Sequence, residues 1–549
     1  MRTKRIKTAA IAGVCVTLLF PGTLTASPEM YDQEGGNAQS GPASATASNA
    51  QPAAQQNANA ASTNSAPAKN GSLVCPVTAD TAPPVSPPLA AALALYRIGK
   101  FDEAIAAYNA ILPTGGSEAA AAYAGLARVY LEKGNTNEAY AVAQKAVALT
   151  PDRAPAIVAL GEVYFRQGKL TEAQVAFSKP LRACDLDARA FLGLSRLYTV
   201  SLNWKRAITN IDQAYKLDPD DPEIRRHYMG TVSAPGQKPA NACRLATNLK
   251  STEAKFEPLS DRPNHVRGYG LNVKVNGISS RLLFDTGASG ILIDRKIGDR
   301  AGVKSIKDIE IHGFGDTGPT AGFVGHADKI QIGELEFDDC LVQVAAGGSV
   351  MDGDGLIGAD VFRHFLVDIY MPAHKLKLGE LPPYPDEPAG EVSLDSHDSQ
   401  QPHRHDRYLP PGMEDFTPIF EFGHDLLIPT SVNSSSPRLF LIDTGAFDNN
   451  LSLAYAKEVT KVSSEYDAEV KGLSGKVKKV YSAQNATIQF ANIKQQREDL
   501  ITTDMTHISD LSGTEVSGVL GFAMLWMLDI KIDYRDGLVK FTVESRFVQ

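Results

Sequence analysis

The sequence predicts a multidomain protein in which an all-α helical repeat array is followed by an all-β unit of two lobes. Two observations carry that expectation. In the first half, Tyr96, Tyr130, Tyr164 and Tyr198 recur every 34 residues. In the second half, Asp285-Thr286-Gly287 returns as Asp443-Thr444-Gly445, and each copy closes a short apolar strand, Arg281 to Phe284 in one and Leu439 to Ile442 in the other. A chain of 549 residues with a net charge of −9 has room for two or three cores. It carries no basic stripe or nucleic-acid motif, which excludes that class of partner.

The chain opens with Arg2, Lys4, Arg5 and Lys7, then an apolar run from Ala9 to Phe20, then Leu24-Thr25-Ala26. This is the pattern of a secretory signal peptide over residues 1–26, too short for a membrane span. The implied localisation is export of the bacterial type, periplasmic or secreted. A membrane contact follows only if the segment is retained as an anchor. Residues 27–84 are mostly Ala, Asn, Gln, Ser, Gly and Pro, cannot bury enough surface to offset ordering, and read as a disordered low-complexity tether. Beyond the signal stand Cys75, Cys184, Cys243 and Cys340. Outside the cytoplasm they allow up to two disulfides in three pairings, or they stay as buried thiols.

Residues 85–230 hold the repeats. Ala104, Ala139, Ala173 and Ala207 follow the tyrosines at nearly the same period, Gly99, Gly134 and Gly168 mark turns, and Pro151 and Pro219 stand just past helix ends. Ser201-Leu202-Asn203-Trp204 replaces the turn glycine in the last unit. These positions resemble tetratricopeptide repeats, four in number, whose small residue at the helix crossing lets paired helices pack closely. The resemblance implies a concave groove for a peptide or protein partner. The alternative is a rigid spacer packed against the lobes, since nothing in the groove positions is chemically distinctive. Residues 231–264 read as a linker.

Lobe 1 spans 265–380 and lobe 2 spans 416–549, joined by a Pro-, Asp- and Ser-rich linker over 381–415. Their duplication continues past the tripeptide. Leu356-Ile357-Gly358 answers to Val519-Leu520-Gly521, and Val367-Asp368-Ile369 to Leu528-Asp529-Ile530. Together these motifs resemble the aspartic peptidases, with Asp-Thr-Gly-Ala closest to the retropepsin-like branch. The resemblance implies two barrel-like lobes with Asp285 and Asp443 meeting at the cleft as catalytic residues. It also implies that Thr286 and Thr444 hydrogen-bond across to the opposite lobe. Gly287 and Gly445 would let backbone approach the carboxylates.

The chemistry accounts for the duplication. Hydrolysis of an amide without a metal or a covalent nucleophile needs one group to take a proton from water and another to give one to the carbonyl oxygen. Two carboxyls sharing one proton do both, because crowding like charges separates their proton affinities. No cofactor or metal is expected. Ala288 and Ala446 stand where pepsin-like enzymes usually place a hydroxyl donor, so the ionised form loses support and the pH optimum shifts toward neutral. A Gly-rich hairpin at Gly313-Phe314-Gly315 is a candidate substrate-covering flap, with Gly472 to Gly475 its counterpart. Asp448 is a candidate substrate contact, or a solvated loop acid. His397, His403, His405 and Asp406 could bind a metal, but a polar linker favours solvated side chains.

The sequence is therefore read as an exported aspartic endopeptidase acting on a peptide or protein substrate, with repeats for protein interaction. The alternatives are a non-catalytic peptide-binding scaffold and lobes that pair between two chains.

Overall fold

Small residues at helix crossings build the array. Among the described residues, nine helices follow one another: α1 (Pro87–Arg97), α2 (Phe101–Ile111), α3 (Gly116–Glu132), α4 (Thr136–Leu149), α5 (Ala154–Arg166), α6 (Leu170–Arg182), α7 (Ala188–Val200), α8 (Trp204–Leu217) and α9 (Pro222–Val232). A Cβ on Gly125 would stand 2.3 Å from the Tyr108 ring, and one on Gly193 would stand 2.4 Å from the Phe177 ring. The large side chain of one helix thus fills the gap left by its neighbour's glycine. The computed structural model describes residues 7–10, 14–16, 85–232, 243–262, 265–346, 353–385, 406–464, 468–472 and 474–544. The tether at 27–84, most of the signal segment and His397, His403 and His405 lie outside the described residues.

An ion ladder runs along the first helices of successive repeats. Glu162 on α5 receives Arg128 Nε from α3 at 2.9 Å and Arg189 Nε from α7 at 2.8 Å, and Arg189 also reaches Asp221 at 3.3 Å and Glu223 of α9. Arg196 joins Glu223, and Arg97 joins Asp218. This face is chemically distinctive after all. Arg128, Glu162 and Arg196 occupy the same position in three repeats, so the 34-residue period could have revealed them.

Each lobe is built on the same strand arrangement. In lobe 1, Ile278–Asp285 pairs antiparallel with His265–Val275 and parallel with Gly355–Gly358, which also pairs with Ile291–Ile293. In lobe 2, Arg438–Ile442 pairs antiparallel with Asp425–Val432 and parallel with Gly518–Leu520, which also pairs with Asn450–Ser452. A six-stranded sheet joins the lobes where Leu366–Tyr370 meets Leu528–Asp533, with Val367 opposite Ile532 and Ile369 opposite Ile530. Near the N-terminus, Lys7–Ala10 pairs with Ala468–Gly472, and Val14–Val16 pairs with Lys304–Gly313.

The expected linker at 231–264 is largely not a linker. Arg244–Leu245 and Glu257–Arg262 join the lobe 1 sheet, and Thr252–Lys255 adds an edge to the joint sheet. Thr252–Lys255 alternates exposed and half-buried positions, so it lacks the apolar run that marks an inner strand. The segment is also stapled, because Cys243 is disulfide-bonded to Cys340. Cys184 is disulfide-bonded as well.

The array is packed through its turns against lobe 2 and the end of the interlobe segment, as the spacer alternative expects. Gly134 faces Asp510, Gly168 lies 3.2 Å from Leu439 by its ideal Cβ, and Leu202 accepts a hydrogen bond from the Arg407 N–H at 2.8 Å. Leu202 takes the left-handed conformation of the missing turn glycine at φ 54°. That conformation costs about 1 kcal/mol, and burial of its side chain beside Gly537 and Arg407 offsets it.

Gly193→Ala should destabilise the array by about 1–3 kcal/mol through overpacking against Phe177, lowering the thermal midpoint. An unchanged midpoint would show that the helices can part at no cost.

Candidate active site

Asp285 and Asp443 each stand where an apolar strand ends beside a glycine-closed parallel neighbour. Asp285 is opposite Gly358, and Ile442 just before Asp443 is opposite Leu520. The structure brings both carboxyls together, each with no solvent exposure. A Cβ on Gly287 would lie 2.8 Å from Asp443 Cγ, so only glycine admits the second carboxylate there. The Gly287 N–H donates to Asp285 Oδ1 at 2.8 Å. The N–H groups of Gly445 and Ala446 donate to Asp443 Oδ1 at 2.9 and 2.8 Å. The Oδ2 atoms of both aspartates are buried and accept no main-chain N–H.

The threonines lock the loops. The Thr286 hydroxyl donates to Ile442 O at 2.7 Å and accepts from the Thr444 N–H at 3.0 Å. The Thr444 hydroxyl donates to Phe284 O at 3.1 Å and accepts from the Thr286 N–H at 3.1 Å. Each side chain therefore completes the backbone of the other lobe, within one chain.

Outside this core the lobes differ. Asp360 accepts from the Ser289 hydroxyl at 2.7 Å and the Gly290 N–H at 2.9 Å, bracing the loop after Asp285. Lobe 2 has Ala523 in the matching place and braces its loop with Asn449, whose side-chain oxygen accepts from the Gly521 N–H at 2.8 Å. Sequence reading missed both residues, although Asp360 stands two places after the aligned glycine. Half-buried Phe447 packs against the ring of Phe522 at 6.4 Å. Asp448 is half-buried too, and its carbonyl oxygen would lie 2.5 Å from a Cβ on Gly521.

The two glycine hairpins meet. Lys304–Gly313 and Thr320–Ile332 form the arms of the first, and its tip touches the second at Ser474 to Lys478. Gly313 ends the first arm, Phe314 is buried, and Gly315, at φ 132°, would place a Cβ 2.5 Å from Ser474 O. The Thr317 N–H donates to Ser474 O at 2.7 Å, and the Lys478 N–H donates to Asp316 Oδ2 at 2.7 Å. Of the linker metal candidates, only Asp406 is described, and it accepts from the Lys205 N–H at 2.9 Å. Among the described residues no cluster has the make-up of a metal site, and no helix is long and apolar enough to cross a membrane.

Burial holds both carboxyls above the usual aspartate range. Asp285 is pushed up to about 7 despite the Gly287 N–H. Burial raises Asp443 as well, and the neighbouring charge of Asp285 raises it further. The pair therefore keeps a proton up to neutral pH.

Comparison with known proteins agrees with this geometry. Residues 271–361, which include Asp285, match the aspartyl protease family model. They form an aspartyl protease domain. Residues 89–154 and 130–197 match two tetratricopeptide repeat models, so the array is a tetratricopeptide array. Among solved structures, the aspartic proteinase from Irpex lacteus is 14% identical, over 54% of this chain and 98% of its own, with a TM-score of 0.34. A thermophilic tetratricopeptide protein from Thermus thermophilus is 26% identical, over 27% of this chain and 80% of its own, with a TM-score of 0.23. With scores this low, neither likeness bears on the assignment. No curated protein matches the chain.

A raised aspartate stabilises the aspartyl protease fold below its unfolded value of 3.8 and loses that contribution as pH climbs through its folded value of about 7. Asp285→Asn should therefore be more stable than wild type at pH 8, on the order of 4 kcal/mol, with the gain vanishing near pH 4. Denaturant unfolding at the two pH values measures it, and an equal difference at both would refute the shared proton.

Proposed function

We propose that the chain is an exported aspartic endopeptidase in which Asp285 and Asp443 are the catalytic residues. The observation that carries this is the reciprocal threonine lock, which holds the loops of two buried carboxyls against each other. Binding alone gives no reason to bury a like-charge pair, whereas acid–base hydrolysis requires one.

In the proposed reaction the ionised carboxyl takes a proton from water as its oxygen bonds to the scissile carbonyl carbon. The protonated partner gives its proton to the carbonyl oxygen. Collapse of that tetrahedral adduct breaks the carbon–nitrogen bond, the amine leaves with the proton first taken from water, and the hydroxyl proton returns to the dyad. Two carboxyls and water suffice. The dyad titrates as a unit, so the roles belong to the pair. Gly313, Phe314 and Gly315 serve the covering hairpin, and Asp448 lines its approach.

Export is part of the proposal. The N-terminal pattern supports it, and so does the Cys243–Cys340 disulfide, since such bonds persist in oxidising compartments. The substrate is a peptide or protein, and the repeats offer a surface for a protein partner.

A peptide-library digest tests the reading. Asp285→Asn and Asp443→Asn should each lower turnover about 10³-fold or more, and wild-type turnover should rise toward about pH 7, where Asp285 ionises while the proton held by Asp443 stays on the pair. Cleavage that survives in either variant would remove the mechanism, and a maximum near pH 2 would contradict the raised dyad.

A further inference from the structure

One short helix, Thr506–Ser512, has the covering hairpin on one side and the repeat array on the other. On the hairpin side, the His312 ring lies 6.3 Å from that of His507. Phe314 at the tip is buried in one hydrophobic cluster with Val470, Met505 and Ile508 of lobe 2. On the array side, Arg166 Nη2 lies 2.5 Å from Asp510 Oδ1, and a Cβ on Gly134 would lie 3.2 Å from Asp510 Oδ2. The chain leaving the helix stays on the array, because the Thr514 hydroxyl donates to Phe165 O at 3.0 Å and the Glu515 N–H donates to Arg166 O at 2.7 Å. Val200 of the array belongs to the same cluster as Phe314, and half-buried Phe165 packs against it.

We infer that the tetratricopeptide array positions the cover of the cleft. By holding Asp510 through Arg166, it fixes the helix onto which the lobe 1 hairpin closes. This rests on the reading of that hairpin as a substrate cover. A seven-residue helix has too few internal bonds to hold its place unaided. Ile508 and the Ser512 hydroxyl, which donates to buried Asp425 Oδ2 at 2.7 Å, hold its inner side to lobe 2, and the array grips its outer face. The repeats grip it with a charge-assisted bond and with backbone bonds just downstream. A hairpin that must open for substrate and close for reaction finds its closed position only where this helix stands. Arg166 and Asp510 are positioning residues, remote from the reacting atoms.

The test is hydrogen exchange on the full chain. Arg166→Ala and Asp510→Ala should each speed amide exchange across 311–318 and 474–478 at least about five-fold, and raise KM with little change in kcat. The charge swap combining Arg166→Asp with Asp510→Arg should restore both. Lys179→Ala, which removes an exposed ion pair with Asp152 elsewhere on the array, should leave the hairpin unchanged. If an alanine variant loosens the whole protein, Asp510→Asn supplies the milder break. Faster exchange at 163–168 and 506–513 with an undisturbed hairpin would overturn the inference. Exchange does not depend on turnover, so a protein that cuts nothing still gives an answer. An indifferent hairpin with cleavage that still needs both aspartates would leave the peptidase standing and remove only the positioning.

Discussion

Everything in the cleft depends on the exchange between Thr286 and Thr444. Each hydroxyl satisfies one buried carbonyl and one buried N–H of the opposite lobe. Leaving such a group unpaired costs about 1–3 kcal/mol, so neither loop is complete alone. The dyad's separation is thereby set by main chain, the least adjustable part of the molecule. The joint sheet adds a second constraint at a distance, because the duplicated strands Leu366–Tyr370 and Leu528–Asp533 pair with each other. Two contacts between the lobes, one at the acids and one behind them, fix both position and tilt.

What was legible in the sequence was whatever a local motif dictates. Asp-Thr-Gly requires a glycine where backbone and carboxylate touch, and Gly287 shows why. The 34-residue period requires small side chains at helix crossings, and Gly125 and Gly193 sit against Tyr108 and Phe177. What stayed hidden was decided between segments far apart in the chain. Asp360 lies 70 residues from the Gly290 N–H it accepts, and Asn449 lies 72 from Gly521. Lobe 2 lost the first device and gained the second, so alignment of the halves conceals both. The edge strands at 244–262 escaped for a different reason. Half-exposed strands carry polar residues and read as linker until their partners are known.

The electrostatics of the two halves differ in kind. In the array, half-buried Arg189 is surrounded by Glu162, Asp221 and Glu223, and opposite charges offset the loss of water. In the cleft, two acids are buried without a cation between them, and a proton takes that place. The first arrangement resists change across ordinary pH. The second is stable only while the proton remains.

Leu202 and the glycines at 134 and 168 lead to a last point. Solenoids usually gain and lose units freely, because each unit meets only its neighbours. Here three consecutive turns rest on three separate places, Asp510 and Leu439 of lobe 2 and Arg407 at the end of the interlobe segment. Insertion or loss of a single unit would shift every later turn off its footing at once. The number of units in this solenoid is therefore tied to the surface on which its turns rest.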